Sequence, residues 1–217
     1  MTEDAAQPSP RRLRTRRRLI NAAADVFVTE GLQAASVETI CAQAGFSRGA
    51  FYSNFESKEQ LFLAVLADQY ERRTERLQHN AVLLRPLLEG SETLVSHEEA
   101  AAFITEYFSP TGDEPTWFAL ETEFMLLAMR DPTIAPGYVE FMGRIRVQIG
   151  QLVEPLLGAA GRRSVLPADR AVALLSSVYE RALAITAIAG PEAPEGLSEL
   201  GERLAELLFA ITEPLAA

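Results

Sequence analysis

The sequence predicts an all-α protein, with a small three-helix unit at its N-terminus and a larger helical body behind it. Apolar residues recur at i, i+3, i+4 and i+7 through most of the chain, and β-branched alternation is nearly absent. Thirteen Gly and 12 Pro fall mainly between those periodic stretches, where they punctuate helices. With 217 residues, 48% of them hydrophobic, the chain can bury a substantial core.

In chain order, residues 1–10 are polar and Pro-containing and read as a disordered tail. RRLRTRRR follows as a basic arm leading into the first helix. A solvated charge run is the bland alternative; its position favours an arm that neutralises phosphates. The first helix carries Ile20, Ala23, Ala24, Phe27 and Val28 on one face, and Gly31 ends it. Asn21, Asp25 and Glu30 interrupt the apolar run, so no secretory leader is expected here.

Residues 36–58, SVETICAQAGFSRGAFYSNFESK, are the most informative stretch. Ser36 can cap a helix whose Val37, Ile40, Cys41 and Ala44 share one face, and Gly45 suits its C-terminus. Phe46 anchors the turn, and Ser47 can cap a second short helix. There Phe51 and Phe55 point inward, leaving Arg48, Gly49, Tyr52 and Ser53 outward. This is a helix-turn-helix pattern, and its second helix can be laid in a DNA major groove. Cys41 lies on the apolar face and reads as a small core residue. A fourth helix starts at Ser57, with Gln60 completing a possible capping box. Later helices are expected near 97–108, 115–130, 135–157, 168–189 and 197–212, with Pro136 and Pro155 as possible breaks in the third of these. Residues 168–189 are apolar enough to span a membrane, but mid-segment Glu180 and Arg181 favour a helix buried on two sides.

The net charge of -10 argues against nucleic acid until its distribution is considered. Residues 11–58 hold Arg11, Arg12, Arg14, Arg16, Arg17, Arg18, Arg48 and Lys58 against Asp25, Glu30, Glu38 and Glu56, a balance of +4. Residues 59–217 carry -12. A basic head on an acidic body turns the head toward DNA. The single cysteine excludes an intramolecular disulfide and fits a reducing cytoplasm.

From Arg17 to Leu66 the chain resembles the N-terminal DNA-binding domain of the TetR family of transcriptional regulators. The motifs are Phe27, Glu30 and Gly31, then Ser36-Val37, Ile40, Ala44-Gly45, and finally Tyr52, Phe55, Lys58 and Leu61. Asn54 departs from the family pattern, in which His is common at that place. The domains expected are the tail 1–10, a head 11–58 with its recognition motif at 36–55, and a ligand-binding and dimerisation body 59–217. DNA contacts are expected from Arg14, Arg17, Ser36, Ser47, Arg48, Gly49, Tyr52, Ser53, Asn54 and Lys58. Arg48 can read guanine or hold a phosphate, and both readings stand. Capping alone would account for Ser36 and Ser47.

The resemblance further implies a homodimer on a pseudo-palindromic operator in double-stranded DNA, and a small-molecule effector. A largely apolar or aromatic effector is expected in a pocket lined by Trp117, Phe124, Met125, Tyr138 and Phe141. Glu121, Arg144 and Tyr179 would be its polar anchors. No catalytic set, metal-ligand set, cofactor fingerprint or membrane association is expected; His79 and His97 are the two histidines, and HEEAA lacks the second His of a zinc-protease helix. The alternatives are an architectural DNA-binding protein without a ligand, and a helical enzyme with an incidental helix-turn-helix.

Overall fold

The computed structural model describes residues 9–90, 94–108, 110 and 112–215. Most of the expected tail, residues 1–8, lies outside these, as do Ser109 and Thr111 of an expected break. The order is α1 (Pro10–Ala34), α2 (Val37–Ala44), α3 (Arg48–Tyr52), α4 (Lys58–Glu89), α5 (His97–Phe108), α6 (Glu114–Arg130), α7 (Ala135–Ala159), β1 (Arg162–Ser164), α8 (Ala168–Ala189), α9 (Leu200–Ile211) and β2 (Thr212–Pro214). The fold is all-α as expected, with the two three-residue strands as a small addition.

Contacts group the chain into two compact units. One comprises the chain up to Gln69 together with Leu120–Tyr138, the other Tyr70–Ala119 and the chain from Val139 onward. The first unit therefore extends past residue 58 and recruits part of α6 and the start of α7.

In the first unit, α1 starts at Pro10 behind a Ser9 cap, so the basic run forms the first turns of the helix. Its buried face is Leu19, Ala22, Ala23, Val26 and Phe27, while Val28 is exposed. The expected stripe was thus offset, because Leu19 and Val26 take places assigned to Ile20 and Val28. Gly31 breaks the helix with φ 79° and ψ 167°, a region essentially reserved for glycine. Phe27 meets Phe62 edge-on at 5.1 Å, and Phe62 stacks on Phe124 at 5.0 Å. Leu61, Val65 and Leu66 complete this core.

In the second unit, α4 continues through Pro86 to Glu89. Ala81, Leu84 and Leu88 are buried there, and the last two cluster with Val95. Helix α5 crosses α9 closely, and α9 also packs on α8. Helix α8 is long and apolar enough to cross a membrane by length and composition. Its Ala171, Val172, Ala182, Leu183 and Thr186 are buried, whereas Leu174 and Ile188 are exposed. Strands β1 and β2 pair antiparallel, with Arg163 opposite Glu213. Three residues are too few to show strand alternation, and the partners lie about fifty residues apart in sequence, so this ribbon gave no sequence signal. Arg162 closes it by donating from Nε to Thr212 Oγ1 at 2.8 Å.

Candidate nucleic-acid interface

Helix α3 has five residues, too few to hold itself together by propagation of helical hydrogen bonds. Its surroundings supply the order. Ser47 Oγ accepts from Ala50 N at 3.3 Å at its start. At its end, Arg12 Nη2 donates to Ser53 O at 3.2 Å and Arg16 Nη1 to Asn54 O at 2.9 Å. Arg16 also lies over the Phe55 ring at 4.1 Å, and burial, then neighbouring Arg12, lowers its pKa. Arg18 Nη2 donates to Ala44 O at 2.9 Å, so α1 grips the ends of both short helices. Arg12 and Arg16 stand four residues apart, a helical spacing that could have exposed this grip in the sequence.

Gly45 adopts the left-handed conformation, with φ 70° and ψ 37°, and starts the turn between α2 and α3. Phe51 and Phe55 are buried, while Ser47, Arg48, Gly49, Tyr52 and Ser53 face solvent. A Cβ added to Gly49 would meet little beyond its own cap, Ser47 Oγ at 3.7 Å. Neither packing nor backbone angle requires glycine at this place. Arg48 Nη1 pairs with Glu38 at 2.8 Å across the two helices, and its guanidinium lies 5.9 Å from the Tyr52 ring centre. Tyr52 first, then Glu38, raises the Arg48 pKa, so the group stays charged.

The other expected contact residues are placed unevenly. Arg14 is exposed on α1. Arg17 pairs with the buried Asp68. Ser36 Oγ accepts from Thr39 N at 3.0 Å as the α2 cap. Asn54 turns inward, donating to Ala50 O at 2.8 Å, and its Oδ1 is buried without a partner among the described residues.

Lys58 is committed inside the domain, where Nζ donates to the carbonyls of Leu32 (2.8 Å), Ala35 (2.9 Å) and Gln33 (3.3 Å). These are end-of-helix carbonyls with no partner in their own helix. Lys58→Met is expected to cost about 1–3 kcal/mol of stability by leaving them unsatisfied. Chemical denaturation measures that cost, and the salt dependence of DNA binding should stay unchanged.

The expected pocket residues are divided between the two units. Phe124 belongs to the first unit's aromatic core, with Met125 on the same helix segment. Tyr138 donates its hydroxyl to Glu121 at 3.1 Å, also within that unit. In the second unit, Phe141 is buried against Tyr70, Trp117 is half-buried, and exposed Arg144 pairs with Glu140 at 2.7 Å. Tyr179 alone of the eight lines the second unit's cavity of about 460 Å³. Sequence reasoning missed that cavity's other walls, which come from the polar middle of α4, the end of α5 and the start of α6.

Residues 19–65 match the family described as bacterial regulatory proteins, tetR family. The chain is 32% identical over 122 residues to the HTH-type transcriptional regulator UidR of Escherichia coli strain K12, covering 56% of this chain and 55% of UidR. It thus spans about half the length of that curated relative. A protein assigned to the TetR-family transcriptional regulators from Mesorhizobium loti MAFF303099 has a similar fold, with TM-score 0.67 at 18% identity, covering 93% of this chain and 98% of the other. A transcriptional regulator from Saccharomonospora viridis, solved in complex with choline, has TM-score 0.61 at 17% identity over 93% and 99% of the two chains. Matched motif, curated relative and fold agree with the geometry of residues 36–55: residues 19–65 form an N-terminal domain of the kind found in the tetR family of bacterial regulatory proteins.

Proposed function

We propose that the protein is a DNA-binding transcriptional regulator, a cytoplasmic homodimer that represses by occupying a pseudo-palindromic operator and is released by a small ligand. The outward face of α3 carries this reading: Ser47, Arg48, Gly49, Tyr52 and Ser53 face solvent beside a clasped guanidinium. Gly49 is left without an internal reason to be glycine and lets the helix backbone approach the groove. Arg48 would leave Glu38 to meet guanine O6 and N7. Tyr52, Ser53 and Arg14 would hold phosphates. Two α3 helices about a two-fold axis would read half-sites roughly 34 Å apart. Exposed Leu174 and Ile188 on the apolar α8 favour the dimer. The cavity in the second unit favours a ligand-responsive protein over a purely architectural one. For near-complete release, the ligand must prefer the non-binding state by about 5 kcal/mol.

Binding of fluorescent palindromic DNA by the full-length protein tests the head. Arg48→Ala is expected to weaken specific binding about 10–100-fold, the loss of one bidentate base contact. Tyr52→Phe should weaken binding less, and Glu38→Gln should strengthen it by freeing Arg48. Unchanged binding of both Arg48→Ala and Tyr52→Phe would overturn α3 as the recognition helix.

A further inference from the structure

We propose that the effector is an organic anion, a carboxylate or phosphate ester on an apolar or aromatic body, held by Arg73 and Tyr179 in the cavity of the second unit. This rests on the ligand-responsive reading above and replaces the largely apolar effector expected from the sequence.

The cavity's size suits a small organic molecule. Its charged wall is one helical face of α4, bearing Arg72, Arg73 and Arg76 beside Glu75. Glu114 at the start of α6 supplies the second carboxylate, and His79 and Asn80 lie further along α4. Glu114 is buried and already engaged: Oε1 accepts from Arg76 Nη2 at 3.1 Å and Oε2 from Gly112 N at 2.9 Å. Asn80 is engaged too, donating Nδ2 to Tyr107 O at 2.5 Å.

Arg73 differs from Arg76. Among the described residues it pairs with no carboxylate, and its guanidinium lies over the Tyr179 ring at 4.2 Å. That stacking holds the planar fork in place while leaving its edge donors available. Beside it, Tyr179 Oη is buried and its proton has no acceptor among the described residues. Burial pushes the phenol pKa up to about 12, against the pull of Arg73, so the hydroxyl remains protonated and can donate. A buried donor without an acceptor is costly, and an anionic oxygen would satisfy it together with the adjacent guanidinium. Tyr107, Phe108, Leu77 and Pro110 give the remaining wall apolar surface. Three arginines against two glutamates bias the site toward an anion and against a cation such as choline.

Titration calorimetry and melting shifts on the full-length protein test this with phenylacetate, 3-phenylpropionate and 4-phenylbutyrate, each beside its neutral amide. Phenyl phosphate identifies whether the phosphate headgroup is preferred. At least one anion should raise the melting temperature and bind ten-fold or more tighter than its neutral counterpart. Arg73→Gln and Tyr179→Phe should each weaken that anion ten-fold or more, and Arg73→Lys should restore part of the loss. Equal binding of acids and amides, indifference to both substitutions, or binding of no probe would overturn the proposal. Operator release is scored separately. Anion binding that leaves DNA bound would refute ligand relief while sparing the site, whereas release by the amides through the wild-type and Arg73→Gln proteins alike would do the reverse.

Discussion

Phe124→Ala should destabilise the first unit by about 3–5 kcal/mol, the usual cost of removing a fully buried phenyl ring. Phe124 has no exposed surface, stacks on Phe62 at 5.0 Å and sits 5.7 Å from Tyr138. Phe62 in turn meets Phe27 of α1, so the ring from α6 supports the helix that grips α2 and α3. Truncation would leave a cavity between rings fixed by their neighbours, with little room for collapse. DNA affinity should therefore fall steeply with temperature, although position 124 is distant in sequence from every residue expected to touch DNA. Urea denaturation with DNA binding at low and physiological temperature measures both effects. A loss under about 1 kcal/mol would contradict this account of the core.

Gly201→Ala should destabilise the second unit, though less than Phe124→Ala does the first. A Cβ there would lie 2.0 Å from Thr105 Oγ1 and 2.8 Å from Ala101 O, at the crossing of α5 and α9. Thr105 could rotate aside at the expense of its 2.9 Å bond to Ala101 O, but the carbonyl belongs to the helix backbone. The helices would have to separate, and overpacking of this kind costs about 1–3 kcal/mol. The double substitution Thr105→Ala with Gly201→Ala removes the clash with the hydroxyl and leaves the contacts with the Thr105 Cβ, at 3.2 Å, and with the backbone. It should recover part of the loss in thermal unfolding; full recovery would show that the backbone contact is harmless.

Legibility in the sequence followed how local each signal was. Ser36, Gly45, Ser47 and Ser57 act on residues within four positions, and their caps and turn formed where the residue types pointed. The 168–189 helix likewise matched its apolar period. The partners of cations were less readable, because a lysine suited to phosphate is equally suited to three helix-end carbonyls. Lys58 took the carbonyls, and Arg17 took Asp68. The pocket was least legible of all. Aromatic residues on α6 and α7 resembled a ligand wall, yet the spacing of Phe124 and Phe141 says nothing about which core each enters. A cavity of the second unit lies along the arginine-rich part of α4, where polar residues read most simply as a solvated face.

The clasp between Arg48 and Glu38 changes how ionic strength should act on the protein. Docking would exchange the ion pair with Glu38 for a contact with the guanine edge at this residue rather than bring up a free cation, so dissolved ions weaken the free and bound arrangements together. The slope of log affinity against log salt would then undercount the cations that touch DNA. Glu38→Gln should steepen that slope, turning a silent arginine into a visible one.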